Sequence, residues 1–124
     1  MFVVSTVVVM ALITLTSPTP PRSENDQIRL HTSWYGPGFQ GKTMANGKRF
    51  NASDPTIAAH KDLPFGTKLE LKNPDNDHCL VVEVKDRGPF VAGRELDISK
   101  AAAKKLGVIE EGVSTLFARV ILPE

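Results

Sequence analysis

TKLELKNPDNDHCLVVEVKD, residues 67–86, is the stretch that decides the fold. Leu69 and Leu71 alternate with Lys68, Glu70 and Lys72. After the turn residues Asn73-Pro74-Asp75-Asn76-Asp77 the alternation resumes, with Leu80, Val82 and Val84 facing one way and Glu83 and Lys85 the other. A period of two sends successive side chains to opposite faces, so this segment is two half-buried strands joined as a hairpin. Asp86-Arg87-Gly88-Pro89 stops the second strand, since proline brings no amide hydrogen to a ladder. Cys79 sits in the apolar strand pattern and is expected in the core.

Outward from the hairpin, the same rules predict short strands and a single helix. Upstream, Thr56 to His60 is a brief apolar stretch, and Ile28 to Tyr35 is an extended segment ended by Gly36-Pro37-Gly38. Between them Phe39 to Pro55 is a polar, glycine- and asparagine-bearing loop, the kind that more often carries function than core. Downstream, Glu95 to Ile98 is extended and delivers the chain to Ser99, a natural N-cap. Lys100 to Leu106 is the helix, Gly107 its stop, and Lys104 and Lys105 lie where the helix dipole favours cations. Leu116, Ala118, Val120 and Leu122 alternate through a last strand. Five or six strands with no long helices between them argue an all-β fold, a small closed barrel with one short helix.

The head of the chain differs from the rest. Phe2 to Leu15 is almost wholly apolar, too short for a hydrocarbon core that needs about 20 residues but the length of a secretory signal. The Pro-rich run from Ser17 to Gln27 follows it. Residues 1–22 are therefore expected to be a signal peptide or N-terminal anchor, 23–31 a linker and 32–122 the barrel domain. The chain has 15 Lys and Arg against 14 Asp and Glu, with no block of like charge, which argues against a nucleic-acid arm or a polybasic membrane patch. Cys79 is the single cysteine, so no disulfide framework and no lipid-attachment cysteine beside the leader are expected.

Candidate chemistry gathers at strand ends. Trp34-Tyr35 precedes a glycine turn; its rings either cap the barrel end or present one face to a sugar. Thr43-Met44-Ala45-Asn46-Gly47 offers a hydroxyl and an amide suited to polyhydroxylated ligands, and Asn-Gly is equally a turn signal. His60 and Asp86 each end a strand, so an imidazole and a carboxylate can converge. Taken singly, Asp86 reads as a turn acceptor and His60 as a structural histidine. His31, His60 and His78 lack zinc-ligand spacing, and Gly-x-Ser-x-Gly is absent, so neither a metal site nor a serine hydrolase is expected.

Ser33-Trp34-Tyr35-Gly36, Thr43-Met44-Ala45-Asn46-Gly47 with Phe50, Ala58-Ala59-His60 leading to Leu63-Pro64-Phe65-Gly66-Thr67, Asp86-Arg87-Gly88-Pro89-Phe90, and Leu96-Asp97-Ile98-Ser99 follow one another in one order. Together they resemble the rare lipoprotein A family, from about Thr32 to Leu122. The resemblance implies a six-stranded double-psi β-barrel, shared with expansins, barwin-like proteins and the catalytic domain of one class of lytic transglycosylases. It implies an exported endolytic peptidoglycan lytic transglycosylase that cuts the bond between N-acetylmuramic acid and N-acetylglucosamine in strands poor in stem peptides. The ends produced are 1,6-anhydro, and the setting is wall remodelling and daughter-cell separation. By resemblance Asp86 protonates the glycosidic oxygen and then takes the C6 hydroxyl proton, with His60 as its partner. Tyr35, Thr43, Asn46, Lys48 and Arg87 are the expected substrate contacts, and Asp97 is expected to be structural.

The expected partner is the peptidoglycan glycan strand, met by a monomer without metal or cofactor, in the periplasm, the cell envelope or outside the cell. Two departures from the family pattern bear on this. The position after Asn46-Gly47, usually glutamate, is Lys48, and the stretch from Phe50 to His60 is one residue longer, with Asp54-Pro55 taking up the difference. No C-terminal peptidoglycan-binding repeat is expected beyond the barrel. Lys48 favours the alternative reading, a non-catalytic, expansin-like glycan-binding or wall-loosening module. The same barrel also hosts protease-inhibitor-like and defence-type relatives, so fold does not fix function.

Overall fold

The computed structural model describes residues 27–122, so the leader expected over 1–22 lies outside the described residues. Among the described residues the strands are β1 (Ile28–Trp34), β2 (Ile57–His60), β3 (Lys68–Lys72), β4 (Cys79–Asp86), β5 (Leu96–Ile98) and β6 (Val113–Ile121), with one α-helix, α1 (Lys100–Leu106), and a 3-10 turn at Pro37–Phe39. They close into a barrel in the order β1-β5-β2-β4-β3-β6. Closure pairs every strand on both sides, which removes the exposed edges that make small sheets prone to associate. The pairs β1/β5 and β2/β4 are parallel and the others antiparallel.

The 67–86 segment forms the predicted hairpin, with Leu69 opposite Val82 and Leu71 opposite Leu80. Leu69, Leu71, Val82, Val84, Leu96, Ile98 and Leu116 are almost wholly buried in one core, and Ala102, Ala103 and Leu106 of α1 complete it. Each large aliphatic side chain so buried is worth roughly 1.5–3 kcal/mol. Ser99 caps α1 by accepting from the Ala102 amide at 3.1 Å, and Gly107 closes it in the left-handed conformation at φ 74°.

Three expectations are corrected. Residues 28–31, given to the linker, are the first half of β1: Ile28 stands opposite Ala118 and Leu30 opposite Leu116 of β6. The aliphatic alternation of the barrel already begins there, with Leu30 buried. Cys79 is exposed, opposite Lys72 at the turn end of the hairpin, because β4 sends Val82 and Val84 inward and the odd-numbered Cys79 and Val81 outward. In β6 only Leu116 and Ala118 of the alternating set are buried; Val120 and, beyond the strand, Leu122 are exposed.

The loop between β1 and β2 has a small core of its own. Residues 41–50 fold back as a hairpin, with Gly41 N–H donating to the Phe50 carbonyl, Phe50 N–H to Lys42 and Met44 N–H to Lys48. Its Met44 and Phe50 bury against Tyr35, Ile57 and Ala59 on the outside of the barrel. Tyr35 stacks on Phe50 at 4.2 Å between ring centres.

Candidate active site

The site begins with a break in register. Residue parity along β4 puts Val82, Val84 and Asp86 on one face, which would point Asp86 into the core. Ala58 of β2 pairs with Val84, yet Ala59 pairs with Asp86, so the ladder shifts by one residue at this point. Such a bulge switches which face a side chain takes. It turns Asp86 outward, beside the small core under the 41–50 hairpin. On the other side of Ala59 stands Asp97 of β5, whose neighbours Leu96 and Ile98 are in the barrel core. The two aspartates thus flank one alanine on the outer face, about 10 Å apart in backbone from the spacing of strands.

Their hydrogen bonding differs. Asp86 is an acceptor on both oxygens: Oδ2 receives the Tyr35 hydroxyl at 2.7 Å, and Oδ1 receives the backbone amides of Ala45 and Arg87, each at 2.8 Å. Burial, then the bond to Asp86, pushes the Tyr35 hydroxyl far above the ordinary phenol range, which keeps it a donor. Among the described residues Asp97 receives one donor, the Ser33 hydroxyl, at 2.8 Å. Burial raises the Asp97 carboxyl above the usual carboxylate range; Ser33 and the charge of Arg94 pull it down, and the charge of Asp86 adds to the rise. Two carboxyls with opposite surroundings are the arrangement from which acid and base roles are drawn.

Both line one cleft of about 300 Å³, together with Ser33 to Gly36 from the end of β1 and with Gly88 to Val91 and Arg94 from the segment between β4 and β5. Phe90 is 79% exposed at its rim. A second hollow of about 410 Å³, lined by Gln40, Ala52 and Lys100 among others, shares Trp34, Tyr35 and Gly36 with it. Trp34 is half-buried against the barrel core, its indole N–H donating to the Ile109 carbonyl at 3.3 Å.

Of the residues singled out in the sequence, the structure brings Tyr35, Asp86 and Arg87 to the cleft. His60 does not line it. Its Nδ1 accepts the backbone amides of Asp62 and Leu63 at 3.0 and 3.1 Å, and its carbonyl holds Arg87. Burial lowers the His60 pKa, and with Nδ1 occupied as acceptor the neutral ring carries its proton on Nε2. Thr43 bridges Arg49 within the 41–50 hairpin, and the Asn46 side chain accepts from the Lys48 amide at 3.0 Å in its turn. Lys48 is exposed. The hairpin reaches Asp86 instead through the backbone of Ala45. Asp97, Ser33 and Arg94 are the site members that the sequence reading did not place there. The signal for Asp97 was a charged residue between two core aliphatics, Leu96 and Ile98, which marks the outward face. Among the described residues no three His, Cys, Asp or Glu converge in a way that would hold a metal ion.

Over residues 27–117 the chain matches the double-psi β-barrel family described as lytic transglycolase. It is 53% identical over 94 residues to the "Probable endolytic peptidoglycan transglycosylase RlpA" of Aquifex aeolicus, a span covering 76% of this chain and 41% of that protein. It is 46% identical over 89 residues to the "Endolytic peptidoglycan transglycosylase RlpA" of Campylobacter jejuni, covering 72% and 32%. The chain spans less than half the length of these curated relatives. Among solved structures it resembles the Streptomyces papain inhibitor, with TM-score 0.62 and 20% identity over 85% of this chain and 100% of that one. It also resembles the apo expansin of Clavibacter michiganensis, with TM-score 0.59 and 20% identity over 79% and 52%. Those likenesses carry the fold, a six-stranded double-psi β-barrel.

Proposed function

The chain belongs to the rare lipoprotein A family of double-psi β-barrel lytic transglycosylases, and from that membership we propose that it is an exported enzyme of the cell envelope that cuts peptidoglycan glycan strands. The relatives named above as endolytic peptidoglycan transglycosylases support the substrate and the reaction. The observation that carries the proposal is the pair of unlike carboxyls lining one cleft.

In this reading Asp97, the carboxyl held towards its protonated form, gives its proton to the glycosidic oxygen as the bond from the muramyl anomeric carbon to that oxygen breaks. The C6 hydroxyl oxygen of the same muramyl ring closes on the anomeric carbon, and its proton returns to Asp97. No water is consumed, and one acid/base group serves both steps, so the second carboxylate that activates water or bonds to sugar in ordinary glycosidases has no such task here. Asp86, fixed by three donors, faces the positive charge that develops on the ring. Both proton steps therefore move from Asp86, where the resemblance put them, to its neighbour. Tyr35 and Arg87 position the cleft walls, His60 holds the turn that anchors Arg87, and Thr43, Asn46 and Lys48 meet the strand from the hairpin above.

The test incubates the protein with peptide-free glycan strands in ¹⁸O-water and examines the ends by mass spectrometry. Unlabelled 1,6-anhydromuramic ends support the proposal. Labelled reducing ends would mean a hydrolase. Binding without new ends would mean the non-catalytic module that Lys48, in place of the family's usual glutamate, favours.

A further inference from the structure

The cleft holds two arginines, and their guanidiniums are disposed differently. Arg87 is engaged by the protein: its Nη1 donates to the carbonyls of His60 at 3.1 Å and Leu63 at 2.8 Å, and the group lies 4.0 Å from the centre of the Phe65 ring. Arg94 is half-buried, and its side chain makes no hydrogen bond or ion pair among the described residues, although its charge acts on Asp97. Its backbone is fixed: the Arg94 amide donates to the Val91 carbonyl at 3.1 Å across a turn in which Gly93 takes φ 83°. That turn returns the chain to β5 and brings Arg94 to the lining of the cleft that Asp97 also lines.

A guanidinium offers five donors in one plane, the shape that a carboxylate meets with two parallel bonds. The rim beside it is apolar, with Phe90 and Val91 exposed. An apolar face suits the face of a sugar ring, while a guanidinium with all its hydrogen-bond donors unused suits an anionic substituent on that ring. A neutral sugar satisfies the first and leaves the donors of the second without an acceptor. A muramyl ring carries one such substituent, the 3-O-lactyl carboxylate.

We propose that Arg94 is a specificity-determining residue of this cleft, pairing with the lactyl carboxylate and so selecting a carboxylate-bearing ring over a neutral one. This rests on the glycan reading above and adds a residue and a ligand group to it.

The experiment reads the fast fluorescence change of Trp34, the only tryptophan and a cleft residue, on mixing the full chain with each of two tetrasaccharides before turnover. One is the peptide-free muramyl tetrasaccharide; the other is the same compound with its lactyl carboxylates converted to methylamides. The unaltered protein should bind the carboxylate form at least about tenfold more tightly, as expected for a charge-assisted bidentate pair. Arg94→Gln should bring the two affinities together, and Arg94→Lys, which keeps the charge but not the fork, should restore part of the difference. Equal binding of both forms by the unaltered protein would overturn the proposal while leaving the glycan reading standing. A preference that survives Arg94→Gln would also overturn it, and a shifted pH profile of cleavage in that variant would then assign Arg94 to Asp97 alone. Binding of neither form would bring down the glycan reading and this inference with it.

Discussion

Asp86 and Asp97 predict opposite responses to the same change of one atom. Asp97 has its pKa raised in the fold, mainly by burial, so its contribution to stability is fully present below the ordinary carboxylate value near 3.9 and is lost as pH rises through the raised one. At neutral pH its charge is a cost to the fold. Asp97→Asn keeps an acceptor for Ser33 and removes that cost. The expected outcome is an unchanged or higher melting temperature at pH 7, together with a loss of about 10²–10⁴ in the rate of anhydro-end formation. Asp86→Asn sets an amide N–H₂ against one of three donors, and thermal melts should show a loss of roughly 1–3 kcal/mol. His60 carries a third prediction, for acid. Burial lowers its pKa, so the stability it contributes is present above about 6.5 and is lost as pH falls through the lower folded value, where protonating Nδ1 breaks its bonds from Asp62 and Leu63. His60→Asn, whose side-chain oxygen can accept the same amides, should flatten the melting temperature between pH 7 and pH 5.

At the scale of elements, the strands and the helix were legible because each carries a local signature. Alternating aliphatics mark β3, β4 and β6, and Ser99 with Gly107 brackets α1. What sequence could not carry was pairing at a distance. The parallel neighbours of β2 and β1 come from far along the chain, and the register shift between Ala58 and Ala59 runs against the parity of Val82, Val84 and Asp86. Asp86 was therefore a candidate from its place at a strand end and from the family resemblance, and its companion Asp97 was given to the helix start. One junction between elements illustrates how the fold is held. The side chains of Asn73 and Asn76, in the turn between β3 and β4, both donate to the Leu106 carbonyl at the end of α1, at 2.8 and 3.1 Å. A Cβ at Gly107 would stand 2.7 Å from the Asn76 amide nitrogen in a backbone conformation that L residues rarely adopt. Gly107→Ala should cost about 1–2 kcal/mol in denaturant melts, and Asn73→Ala, which removes one of the two donors to the Leu106 carbonyl, about 0.5–1.5 kcal/mol.

For the molecule as a whole, closure of six strands around one core ties the cleft to the barrel that carries it. Trp34 sits at their junction, packed on the main core and lining the cleft. Its fluorescence and the far-ultraviolet circular dichroism should therefore fall in a single coincident transition, as for a small two-state domain. Separated transitions would mean that the site melts independently of the barrel. The near balance of 15 basic against 14 acidic residues conceals where charge matters: two carboxyls, one arginine hydrogen-bonded to the fold and one without such a bond, in a single cleft. The most direct measurement is the yield of unlabelled 1,6-anhydromuramic ends from peptide-free strands, compared between the unaltered protein and Asp97→Asn with strand binding measured alongside. The account predicts such ends from the unaltered protein and their loss in the variant with binding retained. Undiminished ends from Asp97→Asn, or an unaltered protein that binds strands and leaves them uncut, would contradict it.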